Sequence, residues 1–150
     1  MNLEAQINDQ IKTAMRAKEA STLRSLRAIK AELLKEKTKE GGNGEVSDDN
    51  ALKILTKMAK QRRDSMAIFK EQNREDLAVI EQEELKVIAQ FLPEQMSEAD
   101  VAVKLKEIIA QVGAAGPGDI GKVMGAAMKA FAGKADGKLI SKLTKELLSN

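Results

Sequence analysis

The stretch Gly116–Val123, GPGDIGKV, decides between two folds. Its glycine-x4-glycine-lysine spacing is that of a phosphate-binding loop, which would make the chain a nucleotide-binding protein built on strands. Such a loop needs Ser or Thr after the lysine to ligate the magnesium of the nucleotide, and that position is Val123. It must also leave a buried strand and enter a helix, so that successive N–H groups cradle the phosphate. The residues just upstream, VKLKEIIAQVG, read instead as an amphipathic helix. The glycines then become helix punctuation: Gly113, Gly116 and Gly118, with Pro117, separate two helices, and Gly121 and Gly125 predict a close approach by a neighbouring helix. No small-molecule nucleotide is expected, and no other cofactor.

Working outward, the C-terminal region reads as three short helices, at about 98–112, 118–131 and 137–148, with Gly113 and Gly133 where left-handed caps belong. Upstream lies FLPEQMSEAD, in which Pro93 ends a helix and Ser97 with Asp100 opens the next. Before it, Leu3, Ile7, Ile11, Ala14 and Met15 mark one apolar stripe, and Leu23, Leu26, Ile29, Leu33 and Leu34 continue the pattern to about Lys37. This region is two helices or one bent helix, with AST at 20–22 as a candidate cap. KEGGNGEVSDDN breaks the pattern into a flexible loop. A long helix then runs from Asp48 to about Gln72, and a shorter one carries Leu77, Ile80, Leu85, Ile88 and Leu92. The expected fold is all-α, in two helical bundles: a four-helix N-terminal domain over residues 1–94 and a three-helix C-terminal domain over residues 95–150.

Composition agrees. Ala, Leu, Lys, Glu, Gln and Met dominate, and the only aromatic residues are Phe69, Phe91 and Phe131. Cys and His are absent, which removes disulfides, thiolate nucleophiles, imidazole bases and the usual zinc and haem ligands. Charges recur every few residues from the start, and no run approaches a membrane span, so the expectation is a soluble, cytoplasmic protein without a membrane partner.

The net charge of +2 hides a polar distribution. Residues 71–100 hold nine acids against Arg74 and Lys86, which a solvated helix face explains. Adjacent acids such as Glu83 and Glu84 point in different directions on a helix, so surface solubility accounts for them better than a metal does. Residues 113–150 hold Lys122, Lys129, Lys134, Lys138, Lys142 and Lys145 against Asp119, Asp136 and Glu146. Spacings of four and three put Lys138, Lys142 and Lys145 on one face of the last helix, with Lys134 in the GKADGK turn beside them. A lysine row of this kind suits a nucleic-acid backbone, since ammonium groups displace phosphate counterions without touching bases. The scarcity of aromatic rings argues against base stacking, so an RNA partner would be folded and read by shape. A second basic cluster, KMAKQRRDS, offers Lys57, Lys60, Arg62 and Arg63 either to helix-helix ion pairs or to an acidic protein partner.

The spelling GKVMGAAMKAFAGKADGKLISKLTKELL at 121–148 resembles the C-terminal domain of the B subunit of the glutamyl-tRNA(Gln) and aspartyl-tRNA(Asn) amidotransferase. The match extends through TLRSLRAIKAEL at 22–33, KMAKQRRDS and ELKVIAQFLPEQMSE at 84–98, so nearly the whole chain is similar to the free-standing bacterial GatB/YqeY-type protein. The resemblance implies two helical units and a link to tRNA, with Lys122, Lys129, Lys134, Lys138 and Lys142 as the positions carried over. It also implies a carbon–nitrogen ligase label inherited from the full enzyme. Amide transfer needs ATP, a metal and an ammonia source, and this chain has no competent phosphate loop to hold the nucleotide. A noncatalytic tRNA-binding module is therefore expected, with a protein-interaction adaptor, or an accessory to a tRNA amidation complex, as the alternative. Any amidotransferase activity would need a partner subunit.

Overall fold

A computed structural model describes residues 2–149. The described residues form α1 (Leu3–Ala17), α2 (Ala20–Thr38), α3 (Asp48–Glu71), α4 (Glu75–Ala89), α5 (Glu98–Val112), a 3-10 turn (Pro117–Asp119), α6 (Ile120–Ala130) and α7 (Gly137–Ser149). The class is all-α, as the apolar periodicity predicts, with no strand among the described residues. The chain divides into two compact units, Met1–Leu92 and Pro93–Asn150.

In the first unit α2 is the central element, packed on α1 and α4 and more sparsely on α3. Leu26, Ile29 and Leu33 recur at spacings of three and four and are almost completely buried. Each contributes roughly 1.5–3 kcal/mol by leaving water. They meet Ile7 and Ala14 of α1, Leu55, Met58 and Ala59 of α3, and Val87, Ile88 and Phe91 from α4 and its exit. Two helices, not one bent helix, fill residues 3–38. The break is at Lys18, which adopts a left-handed conformation at φ 56° and closes the end of α1 with its N–H.

Ends are fixed by side chains. The Asn2 side chain accepts from the Ala5 N–H, and Asp48 at the start of α3 accepts from the Leu3 N–H at 3.1 Å, which ties the first turns of α1 and α3 together. Ser47 caps α3, as its position after the glycine loop suggests. The AST segment does not cap α2. Glu19 occupies that position without a side-chain bond, and the Ser21 hydroxyl donates instead to Glu83 at 2.8 Å.

Glu83 is exposed, as a surface acid should be, yet belongs to a set of charges between helices, and Glu84 departs from the surface reading. Glu84, half-shielded on α4, accepts from Arg62 of α3 at 3.0 Å and lies 3.6 Å from Arg24 of α2. Glu83 lies 3.4 Å from the same Arg24, and Glu81 lies 3.9 Å from Arg62. Burial, helped by the charge of Glu84 and opposed by Arg62, raises the Glu81 carboxyl above its ordinary value. A raised carboxyl favours the native state below the ordinary glutamate range, and that benefit disappears as pH rises through its own higher range. At neutral pH the ionised Glu81 is therefore a cost, while Glu84 joins two arginines. Glu84→Gln is expected to destabilise the first unit by about 2 kcal/mol at pH 7. Glu81→Gln should be neutral or stabilising there, and should lose the stability that Glu81 regains on acidification, so its advantage over the parent shrinks from pH 7 to pH 5. Urea unfolding of both variants at pH 5 and pH 7 checks the contrast; equal losses at pH 7 would refute it.

The second unit packs α5, α6 and α7 pairwise around Val101, Leu105, Ile108, Val123, Ala127, Phe131, Ile140, Leu143 and Leu148. Ser97 caps α5, and Gly113 ends it at φ 69°. Thr144 is fully buried on α7 yet satisfied, its hydroxyl donating to the Ile140 carbonyl at 2.7 Å. The close approach expected at Gly121 and Gly125 is absent. Both are exposed, and a Cβ at either would meet nothing within 4 Å.

Candidate nucleic-acid interface

The loop that opens the question of function is closed upon itself. It follows α5, a helix, and the Asp119 carboxylate accepts the Ala115 N–H at 2.9 Å while the Asp119 N–H bonds the Gly116 carbonyl. That backbone bond from Ala115 holds the Asp119 carboxyl below its ordinary value; burial opposes it, and the Lys122 charge and Gly116 add to it. The loop thus follows a helix where a phosphate-binding loop would follow a strand, and its Ala115 N–H is already taken by a carboxylate of the chain.

All six lysines singled out in this half of the chain are exposed. Lys122 and Lys129 are seven residues apart on α6, two turns, and so share one side of it. Their side is the one away from Val123 and Ala127, which are wholly buried. Lys138, Lys142 and Lys145 lie on α7 opposite Ile140, Leu143 and Thr144, which face the core. Since α6 and α7 pack on each other, the two rows belong to adjoining helices of one unit. Lys129, Lys134, Lys142 and Lys145 enter no ion pair among the described residues, so their charge is presented to solvent.

Lys134 is the best anchored of them. Gly133 turns at φ 73°, the Lys134 N–H bonds the Phe131 carbonyl at 2.8 Å, and the Lys134 carbonyl accepts from the Met96 N–H at 2.9 Å. The Gln95 amide donates to the Gly133 carbonyl at 2.6 Å. The Asp136 carboxylate then accepts the Lys138 N–H at 3.0 Å and starts α7. The backbone of the GKADGK turn is thereby fixed from both sides while the Lys134 side chain remains in water. Gln95 and Met96 carry no signal of this role in sequence, because their partners are backbone carbonyls about 40 residues away.

The basic cluster of the first unit separates into two kinds of residue. Arg62 is spent on Glu84 and Glu81, and Arg63 is half-buried. Lys57 and Lys60 are exposed and form no ion pair among the described residues. Among the described residues no helix is long and apolar enough to cross a membrane.

Fold and surface together define a two-unit, all-helical protein that pairs Arg24 and Arg62 with glutamates between its helices and presents a set of lysines, unpaired among the described residues, on its last two helices and the turn between them. The chain belongs to the Yqey-like protein family, whose pattern it matches over residues 4–148. It is similar to the mitochondrial protein "Altered inheritance of mitochondria protein 41" of Meyerozyma guilliermondii, 35% identical over 68% of this chain and 53% of that one. The protein of the same name from Clavispora lusitaniae is 33% identical over 64% of this chain and 55% of that one. An uncharacterized Schizosaccharomyces pombe protein is 27% identical over 64% of this chain and 76% of its own length. The chain spans about half the length of the two mitochondrial relatives.

Proposed function

We propose that the chain is a noncatalytic tRNA-binding module that holds the folded RNA by its backbone through the lysines of α6, the GKADGK turn and α7. The observation that carries this reading is the set of exposed lysines on one small unit, four of them without an ion pair among the described residues, beside a turn whose backbone is already fixed. Ammonium groups held this way release phosphate counterions on binding, with little ordering cost in the turn itself. The resemblance of residues 121–148 to the amidotransferase tail supports tRNA as the RNA. We place the protein in an aqueous compartment, either the cytoplasm suggested by the sequence or the mitochondrion named for two relatives.

Nuclease-treated protein, titrated with total tRNA and with duplex DNA of equal charge at two salt concentrations, tests this directly. Preference for tRNA, weakened by salt, is the expected result; equal weak binding to both would refute it. Gly125 supplies a second check. It is exposed in mid-helix with open space around it, so Gly125→Ala should stabilise the second unit by about 0.5–1 kcal/mol through helix propensity. Binding should fall despite that gain if the RNA backbone rests against α6 between Lys122 and Lys129. A narrower form of the reading makes the chain an accessory to a tRNA-dependent amidotransferase, with any ligase chemistry in the partner subunit. Deletion should then lower amidated tRNA, and normal levels would remove that role.

A further inference from the structure

The first unit contains a groove of about 520 Å3 between α2 and α3, lined by residues of that unit. It exists because α2 and α3 meet sparsely while each packs closely on α4. Its floor is apolar and low, made by Ala28 and Ala31 of α2 with Ile54 and Met58 of α3. Along α2 the lining runs from Ala28 to Glu36, eight residue rises or about 12 Å, which is the length of two helical turns.

The two edges differ in charge. On the α2 edge the acids are already matched: Glu32 holds Lys35 at 2.7 Å, and Glu36 holds Lys39 and Asn50. On the α3 edge Lys57 lines the groove, and Lys53 and Lys60 extend it into a row at spacings of four and three. All three are exposed, and none enters an ion pair among the described residues. The unmatched charge of this groove is therefore basic and confined to one side. Apolar floor and one-sided basic edge together select an occupant that is apolar on one face and acidic on one flank. A phosphodiester strand has no apolar face to bury on such a floor, and none of the ten lining residues is aromatic, so bases have nothing to stack on.

We propose that the α2–α3 groove docks an acidic amphipathic helix of a partner protein, its apolar residues on Ala28, Ala31, Ile54 and Met58 and its carboxylates against Lys53, Lys57 and Lys60. The groove shares no residue with the lysines proposed to hold tRNA, so the fate of either assignment leaves the other standing.

The test is an NMR titration of the 15N-labelled full chain with a synthetic 14-residue helical peptide carrying leucines at i, i+3 and i+7 and glutamates along one flank. A scrambled peptide of equal composition and a duplex RNA hairpin serve as the other arms. The leucine-patterned peptide should shift amides of residues 28–36 and 54–62, and the scrambled peptide should not. An exposed ion pair is typically worth about 1.4- to 5-fold in affinity, so Lys53→Glu, Lys57→Glu and Lys60→Glu combined should weaken binding roughly tenfold or more. Ala31 is itself exposed, so Ala31→Trp should fill the groove without entering the core and abolish the shifts. No shift with peptide up to millimolar concentration, equal shifts with the scrambled peptide, or indifference to Ala31→Trp would overturn the proposal. So would displacement of the pattern to the RNA hairpin arm, which would assign the lysine row to nucleic acid.

Discussion

Changing Lys134, Lys138, Lys142 and Lys145 together to Glu is expected to remove most of the salt-dependent affinity for tRNA while leaving the helices in place. If these four side chains each neutralise one phosphate, the logarithm of affinity falls with the logarithm of salt at a slope of about 3 to 3.6 from them alone. Between 50 and 200 mM salt that amounts to a loss of roughly 50- to 150-fold in the unaltered protein. The variant should show a slope smaller by that amount and, at the lower salt, an affinity weaker by at least as large a factor, since four attractions become four repulsions. The fold should tolerate the change. All four positions are exposed, and Lys138 sits in the first turn of α7, where an acidic side chain suits the helix dipole. Glu at Lys145, near the C-terminal end and beside Glu146, costs a few tenths of a kcal/mol in return. Filter binding at four salt concentrations, with far-ultraviolet circular dichroism as the control, decides the matter. An unchanged slope with unchanged helicity would mean that the RNA, if bound, sits elsewhere.

The second large effect concerns stability. Phe131→Ala is expected to unfold the second unit, because Phe131 is its largest fully buried side chain, 1% exposed at the end of α6 where α5, α6 and α7 converge. Truncation of a buried Phe costs about 3–5 kcal/mol. A unit of roughly 60 residues buries too small a fraction of its surface to hold much in reserve, and about 3–9 kcal/mol is the range its size allows. Phe131 also accepts the Lys134 N–H on its carbonyl, so losing its packing loosens the turn that presents Lys134. Helicity should drop by about the share of α5 to α7, and tRNA binding should fall with it. Phe131→Leu, which keeps most of the apolar volume, should retain both. Full helicity in the alanine variant would show that the small core collapses around the cavity.

These two variants separate the parts of the molecule that sequence reveals unequally. Element type was legible because apolar spacing of three and four is a local property: the stripe Leu26, Ile29 and Leu33 specifies a buried helix face whichever helix covers it. Caps followed when the chemistry was local too, as with Ser47 and Ser97, and failed when it was not. Ser21 has the right side chain for a cap, but a glutamate 62 residues away offers a charge-assisted bond, and α2 begins without one. Glycine was ambiguous for a similar reason. Gly113 and Gly133 needed positive φ at helix ends, which sequence position indicates, whereas Gly121 and Gly125 could equally have met a neighbouring helix or open water.

The amino-acid sequence by itself determined that the chain is all-α, that it lacks cysteine and histidine chemistry, and that lysines line one side of its last helix. All of these are read from side-chain identity and helical period, which neighbours in space do not alter. Only the tertiary structure decided which charges are used up inside and which remain outside. Arg62 and Glu84 are consumed between α3 and α4, Asp119 is turned onto its own loop, and Lys129, Lys134, Lys142 and Lys145 remain in solvent. Whether an ion finds a partner depends on residues brought near it by packing, and Coulomb attraction acts over a few ångströms of space, not over positions along the chain.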